Sequence, residues 1–248
     1  MDNKTNTDKN GQNNEPICLS PIGKVHSPYK EKFAIPRQPG LVSQAHGNIE
    51  LFSGRLSNEM VAGLSDFSHI WVLFIFHQTQ NQGWKSKVRP PRLGGNKKLG
   101  VLATRSTFRP NPIGMSVVKL DKITESNQGA LLAISGLDLL DQTPVLDIKP
   151  YVGYSDAVTD ANSGFAAAAP ETNIKVIFSE QAIKFCNHCQ QHDHLLTFIE
   201  QVLKQDPRPA YRQGKVDDKV YGVQLYNYNI SFCFSDLTTI SVMQINPI

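Results

Sequence analysis

Apolar positions in the first 150 residues come in short runs and alternations bounded by Gly, Pro and Ser, the spacing of β-strands rather than helices. The pattern predicts strands over Ile17–Val25, Ala45–Leu51, Phe67–Gln78, Gly100–Thr104, Ile113–Ile123 and Leu131–Ser135. Phe67–Gln78 is the most apolar of these, and its aromatic and β-branched content makes it a central strand. Ser57–Gly63 is predicted as a short helix, with Ser57 placed to cap it and Gly63 to end it. No helices alternate with the strands and no GxGxxG follows the first one, which argues against a Rossmann nucleotide domain. A closed or nearly closed β-barrel is the better architecture.

The pattern changes beyond the barrel region. Residues 155–172 are rich in Ala, Ser, Asp and Gly and read as a linker. After them come a strand over Ile174–Phe178, two amphipathic helices, the second over His194–Gln205, and strands over Val220–Tyr226, Tyr228–Phe234 and Ile240–Ile245. The turn at Asn227 suits a hairpin. The expected organisation is therefore a disordered leader over residues 1–16, a β-barrel domain over 17–154, a linker over 155–172 and a small α+β domain over 173–248. The fold class is mainly β.

An apolar fraction of 40% is enough for ordinary cores, and no stretch reaches the roughly 18 apolar residues of a membrane span. The first 16 residues, rich in Asn, Lys, Asp and Gly, lack the apolar centre of a signal peptide, so the cytoplasm is the expected compartment. The formal charge of +3 is small but unevenly spread. Lys85, Lys87, Arg89, Arg92, Lys97, Lys98, Arg105 and Arg109 fall in one interval without a single Asp or Glu. A solvated face is one reading of this stripe; attraction of phosphates, RNA above all, is the other.

Arg105, Ser106, Thr107, Arg109 and Asn111 crowd donors and acceptors into a loop that Pro110 and Pro112 stiffen, so a ligand would have little ordering left to impose. Pro36-Arg37-Gln38-Pro39-Gly40 is a second rigid loop with polar tips, readable also as a plain turn. His77 closes the central strand as a structural residue or a ligand contact. Asp138, Asp141 and Asp147 alternate with strongly apolar residues, so at least one needs a partner or a role, with Arg105 or Arg109 as candidate partners. The bland alternative is a turn on Asp141-Gln142 with Asp147 paired to Lys149. Cys186, His188, Cys189, His192 and His194 carry metal-ligand residue types, but a single CxxC is weak, and two helices with cysteine at apolar positions explain the segment better. No metal is expected.

Six segments, SPYKEKFAIPRQPG, FSHIWVLFIFHQT, RPPRLGG, GVLATRSTFRPNPIGMS, LDLLDQTPVLDIKPY and DPRPAYR, together closely resemble the TrmO family of bacterial tRNA methyltransferases, also called TsaA or YaeB-like. The resemblance covers residues 17–245. It implies an S-adenosylmethionine-dependent enzyme on a β-barrel, acting as a homodimer. The implied reaction is N6-methylation of threonylcarbamoyl-adenosine next to the anticodon of threonine tRNA. Carried over from the matching blocks, Pro36, Arg37, Gln38, His77, Gln78, Arg105 and the backbone of Leu137, Asp138, Leu139 and Leu140 would surround the cofactor, with Met115 as a wall. Arg105 would hold the methionine carboxylate through a bidentate pair. Asp138 or Asp141 would take the acceptor proton, with Asp206 or Tyr211 of the second domain as alternatives. The basic stripe and the Asp-Pro-Arg-Pro-Ala-Tyr loop would grip the anticodon arm.

Two other classes compete. A non-catalytic RNA-binding adaptor on the same barrel would bind tRNA and not the cofactor. A metal-dependent phosphoesterase built on the Asp cluster would require divalent ions.

Overall fold

The computed structural model describes residues 17–93, 97–170, 173–189, 192–208, 212 and 214–248. The expected leader over residues 1–16 and the candidate base Tyr211 lie outside the described residues. The first part of the chain forms β1 (Gly23–His26), β2 (His46–Leu51), β3 (His69–Ile75), β4 (Lys87–Val88), β5 (Leu99–Gly100), β6 (Ile113–Ser126), β7 (Gly129–Ser135) and β8 (Pro144–Pro150). All but β4 and β5 close into a barrel of order β1-β2-β7-β6-β3-β8, and β8 pairs back onto β1. Every pairing in it is antiparallel.

Strand alternation decides what fills the barrel. On β3, Ile70, Val72 and Phe74 point inward and are buried, while Trp71, Leu73 and Ile75 point out and keep partial exposure. Val25, Ile49, Val118, Leu132, Ile134 and Val145 complete the interior. The most apolar run in the sequence is thus apolar on both faces of a central strand.

Three local expectations need correction. Gly100–Thr104 is no buried strand: only Leu99–Gly100 pairs, with Lys87–Val88, and Val101–Ala103 then turns as a single 3-10 turn. The turn closes on itself, since both the amide and the Oγ1 of Thr104 donate to the Val101 carbonyl, and Leu102 is left 76% exposed. A short apolar run cannot by itself distinguish strand from turn. The first strand begins at Gly23, not Ile17. Ser57 does not cap its helix; it lies inside α1 (Leu56–Met60), fully buried, donating to the Gly54 carbonyl at 2.6 Å and accepting from the Ala130 amide at 2.7 Å.

After β8 come a one-turn helix, α2 (Gly153–Asp156), and a largely exposed stretch to residue 170. The second module contains β9 (Lys175–Phe178), α3 (Glu180–His188), α4 (Leu195–Lys204), β10 (Tyr221–Leu225), β11 (Tyr228–Phe234) and β12 (Thr239–Pro247). Its sheet has the order β10-β11-β12-β9, with β9 parallel to β12. Ser179 caps α3 by accepting the Ala182 amide at 3.1 Å. The β10–β11 hairpin turns at Tyr226 and Asn227, with Tyr226 at φ 51°.

The two modules share an apolar seam. Tyr29 and Phe198 meet at 5.9 Å between ring centroids, and the Tyr226 amide donates to the Pro28 carbonyl at 2.8 Å. Within α3, Cys186 is buried and its thiol pKa is pushed up to about 11, whereas Cys189 Sγ meets the Tyr228 hydroxyl at 3.2 Å. His188 Nδ1 instead faces the Lys184 carbonyl at 2.7 Å. Among the described residues no three His, Cys, Asp or Glu side chains are grouped to hold a metal ion, and no helix is long and apolar enough to cross a membrane.

Candidate active site

A cavity of about 540 Å³ opens where β3 ends and β6 begins. That volume lies within the roughly 300–1,000 Å³ of small-molecule sites. The chain after β3 is pinned there, because the Phe76 amide donates to the Pro112 carbonyl at 2.8 Å. This bond ties the His77-Gln78 turn to the Pro-stiffened loop.

Most residues expected around a ligand converge on this cavity: Pro36, Arg37, Gln38, His77, Gln78, Arg105, Met115, Asp138 and Leu140 all line it. Leu137 and Leu139, expected there through their backbone, bury their side chains in the core and are not among the lining residues. Asp141 also lies outside the lining. Its carboxylate accepts from the Ser27 amide at 2.8 Å and the Lys30 ammonium at 2.7 Å. Burial opposes ionisation of Asp141, but these two donors outweigh it and hold its pKa below the ordinary value. Asp206, in the second module, meets Arg208 through both carboxylate oxygens, each at 2.8 Å.

The loop carrying Arg105 organises itself. Ser106 N donates to Thr104 Oγ1 at 3.3 Å, Phe108 N to Ser106 Oγ at 3.2 Å, and Arg109 Nη1 to the Thr104 carbonyl at 2.9 Å. Arg105 reaches across to the other loop, donating from Nη1 to Gln38 Oε1 at 2.5 Å. Two loops 67 residues apart in sequence thus present one guanidinium to the cavity.

Asp138 sits deep in the wall with a face on the cavity, and Ser116 Oγ donates to its Oδ1 at 2.6 Å. Burial pushes its pKa up to about 6, against the Ser116 hydrogen bond and the Arg105 charge. Burial also lowers the pKa of His77, favouring neutral imidazole at pH 7.

Sequence reasoning missed Phe74, Phe76, Gly114, Ser116 and Phe108, all of which line the cavity. Phe74 and Phe76 meet edge to face at 5.2 Å. Gly114 lies opposite Phe74 in the β3–β6 register, and a Cβ there would come within 2.3 Å of the Phe74 ring. Strand alternation through Phe74 was the available signal; the glycine contact had none.

The chain matches two family models in succession, the tRNA-methyltransferase O N-terminal domain over residues 24–157 and the TrmO C-terminal domain over 171–248. The chain belongs to the TrmO family. A TrmO relative, the tRNA (adenine(37)-N6)-methyltransferase of Escherichia coli K12, is 48% identical over 216 residues, covering 87% of this chain and 92% of its own. A putative S-adenosylmethionine-dependent methyltransferase, RcsF of Pseudomonas aeruginosa, is 47% identical over 234 residues, covering 92% and 96%. The crystal structure of TrmO from Pseudomonas aeruginosa superposes with a TM-score of 0.78 at 40% identity, covering 94% of this chain and 99% of that one. The barrel with its following α+β module is therefore the TrmO architecture.

Proposed function

We propose that this protein is an S-adenosylmethionine-dependent tRNA methyltransferase that methylates N6 of the adenine next to the anticodon, with threonylcarbamoyl-adenosine of threonine tRNA as its substrate. The observation that carries the reading is the cavity itself. In a TrmO chain, it joins the Arg105 guanidinium, a buried carboxyl at Asp138 and the aromatic walls Phe74 and Phe76.

That donor set fits the cofactor. A guanidinium suits the methionine carboxylate, the loop hydroxyls of Thr104 and Thr107 suit an amine or ribose, and apolar walls suit the adenine. When bound, S-adenosylmethionine supplies an electrophilic methyl carbon whose bond to sulfur breaks with the electron pair left on sulfur. The residues of this chain position and desolvate. Arg105, steadied by Gln38, fixes the carboxylate end; Phe74 and Phe76 keep water from the reacting atoms. The acceptor nitrogen must lose its hydrogen. Ser116 engages Asp138 Oδ1, and the Asp138 carboxylate takes that proton.

Charge and exposure support the rest of the reading. Lys85, Lys87, Arg89, Arg92, Lys97 and Lys98 provide a phosphate-facing surface, and a tRNA substrate places the work in the cytoplasm. A homodimer would cover the outward apolar row of Leu73, Ile113 and Met115, where Met115 is 52% exposed beside the cavity. The deciding experiment incubates the purified protein with labelled S-adenosylmethionine and threonine tRNA, then analyses the nucleosides by mass spectrometry. A methylated threonylcarbamoyl-adenosine is expected. Its absence, with intact cofactor and tRNA present, overturns the assignment.

A further inference from the structure

Trp84 belongs neither to the barrel core nor to the cavity lining, and is 59% exposed. A tryptophan exposed beside a cavity mouth presents a large aromatic face that a planar ligand can cover. The other tryptophan, Trp71, has a partner within the chain: its indole N–H donates to Asp156 Oδ2 at 2.9 Å.

The backbone carrying Trp84 is tied to the mouth of the cavity from both sides. Gln82, two residues before it, lines the cavity, and Gly83 then turns the chain at φ 73°. The Lys85 amide donates to the Phe108 carbonyl at 3.1 Å, and its ammonium lies 4.4 Å from the centroid of the Phe108 ring. Phe108 is itself a cavity residue. Beyond Lys85 the β4–β5 ribbon carries Lys87 with Arg89 following, both exposed, and no acidic residue occurs between Asp66 and Asp121.

An aromatic face set in a basic, acid-free surface is what single-stranded RNA requires, since every base offers a π-face and every linkage a phosphate. A membrane or an apolar protein surface would call for a contiguous apolar patch. Along the chain Trp84 lies between Gln80, Asn81, Gln82 and Gly83 on one side and Lys85, Ser86 and Lys87 on the other, with no second apolar side chain among them. We propose that Trp84 is a stacking platform for an unpaired base of the anticodon loop, next to the base entering the cavity, while Lys85 and Lys87 neutralise the flanking phosphates. The inference rests on the tRNA reading above and extends it to a surface and a mode of binding.

The test uses the full chain carrying Trp71→Phe, which leaves Trp84 as the sole tryptophan. Its fluorescence is titrated with an RNA hairpin of the anticodon arm and with the same sequence as a blunt duplex. Saturable quenching by the hairpin and none by the duplex is expected. In the otherwise native chain, Trp84→Ala should weaken hairpin binding about tenfold or more, and Trp84→Phe should recover most of the loss. Cofactor affinity by calorimetry should stay at the native value in both.

Unchanged hairpin affinity in Trp84→Ala, in a protein whose native form methylates tRNA, overturns the stacking role and leaves the enzymatic reading standing. A change of sedimentation in Trp84→Ala with RNA affinity intact also overturns it, assigning the side chain to a contact between copies. A native chain that neither binds nor methylates threonine tRNA overturns both readings.

Discussion

Ser116 Oγ donates to Asp138 Oδ1 across 2.6 Å, linking the inner face of β6 to the wall of the cavity. Burial makes the neutral carboxyl the favoured form; the hydroxyl and the Arg105 charge favour the anion, and the balance leaves a pKa of about 6. A base at that value is mostly ionised at pH 7 yet still basic enough to accept a proton. The rate should therefore climb as pH rises through about 6, measured as kcat/KM against pH.

Replacing Asp138 with Asn separates catalysis from stability. Turnover should fall about 100-fold or more with cofactor affinity nearly native. The folded-state pKa lies above the ordinary carboxylate value, so the stability contribution of Asp138 is fully present below pH ~4 and lost as pH rises through about 6. At pH 7 the ionised group costs the fold up to about 3 kcal/mol, a cost Asn does not carry. Asp138→Asn should melt several degrees higher than the native protein at pH 7, and the gap should close near pH 4. Normal turnover with lost cofactor affinity would instead make Asp138 a binding residue.

Ser116→Ala isolates the hydroxyl. Its loss removes a donor to the anion, so the acid limb of the pH–rate profile should move upward from about 6 while the alkaline side keeps its position. A mere packing defect would lower the rate at all pH values without moving the midpoint.

Arg105 and Gln38 form the second testable pair. Arg105→Ala should weaken cofactor binding by about 10- to 100-fold, the worth of a charge-assisted hydrogen-bonded pair. Arg105→Lys should recover only part, because a point charge lacks the planar fork. Gln38→Ala should cost less than Arg105→Ala, acting through the freedom it returns to the guanidinium. Calorimetric titration of the three variants orders these effects.

The barrel was legible because alternation along Ile70–Phe74 and Ile113–Ile123 is a period-two signal that needs no knowledge of distant residues. The rigid loops were legible too, since Pro36, Pro110 and Pro112 announce themselves locally. Partner choice was not legible. Asp141 meets Lys30 across 111 residues, and Ser116 meets Asp138 across the sheet, so only the closed barrel distinguishes a structural carboxylate from one facing the cavity. The Gly114–Phe74 fit is likewise a property of register, invisible until β3 and β6 are paired.

Asp206, the alternative base, faces a different demand. Arg208 is 4% exposed, its guanidinium 3.3 Å from the centroid of the Phe234 ring, and it donates to the Lys215 carbonyl at 2.7 Å while gripping both oxygens of Asp206. Asn at 206 removes the charge that Arg208 grips through two hydrogen bonds, and breaking a buried pair costs roughly 3–5 kcal/mol. Asp206→Asn should therefore lower the melting temperature sharply, yet at a temperature where both proteins are folded its turnover should stay within a few-fold of native. The opposite result, unchanged melting with turnover down about 100-fold, would move the proton-accepting role from Asp138 to Asp206.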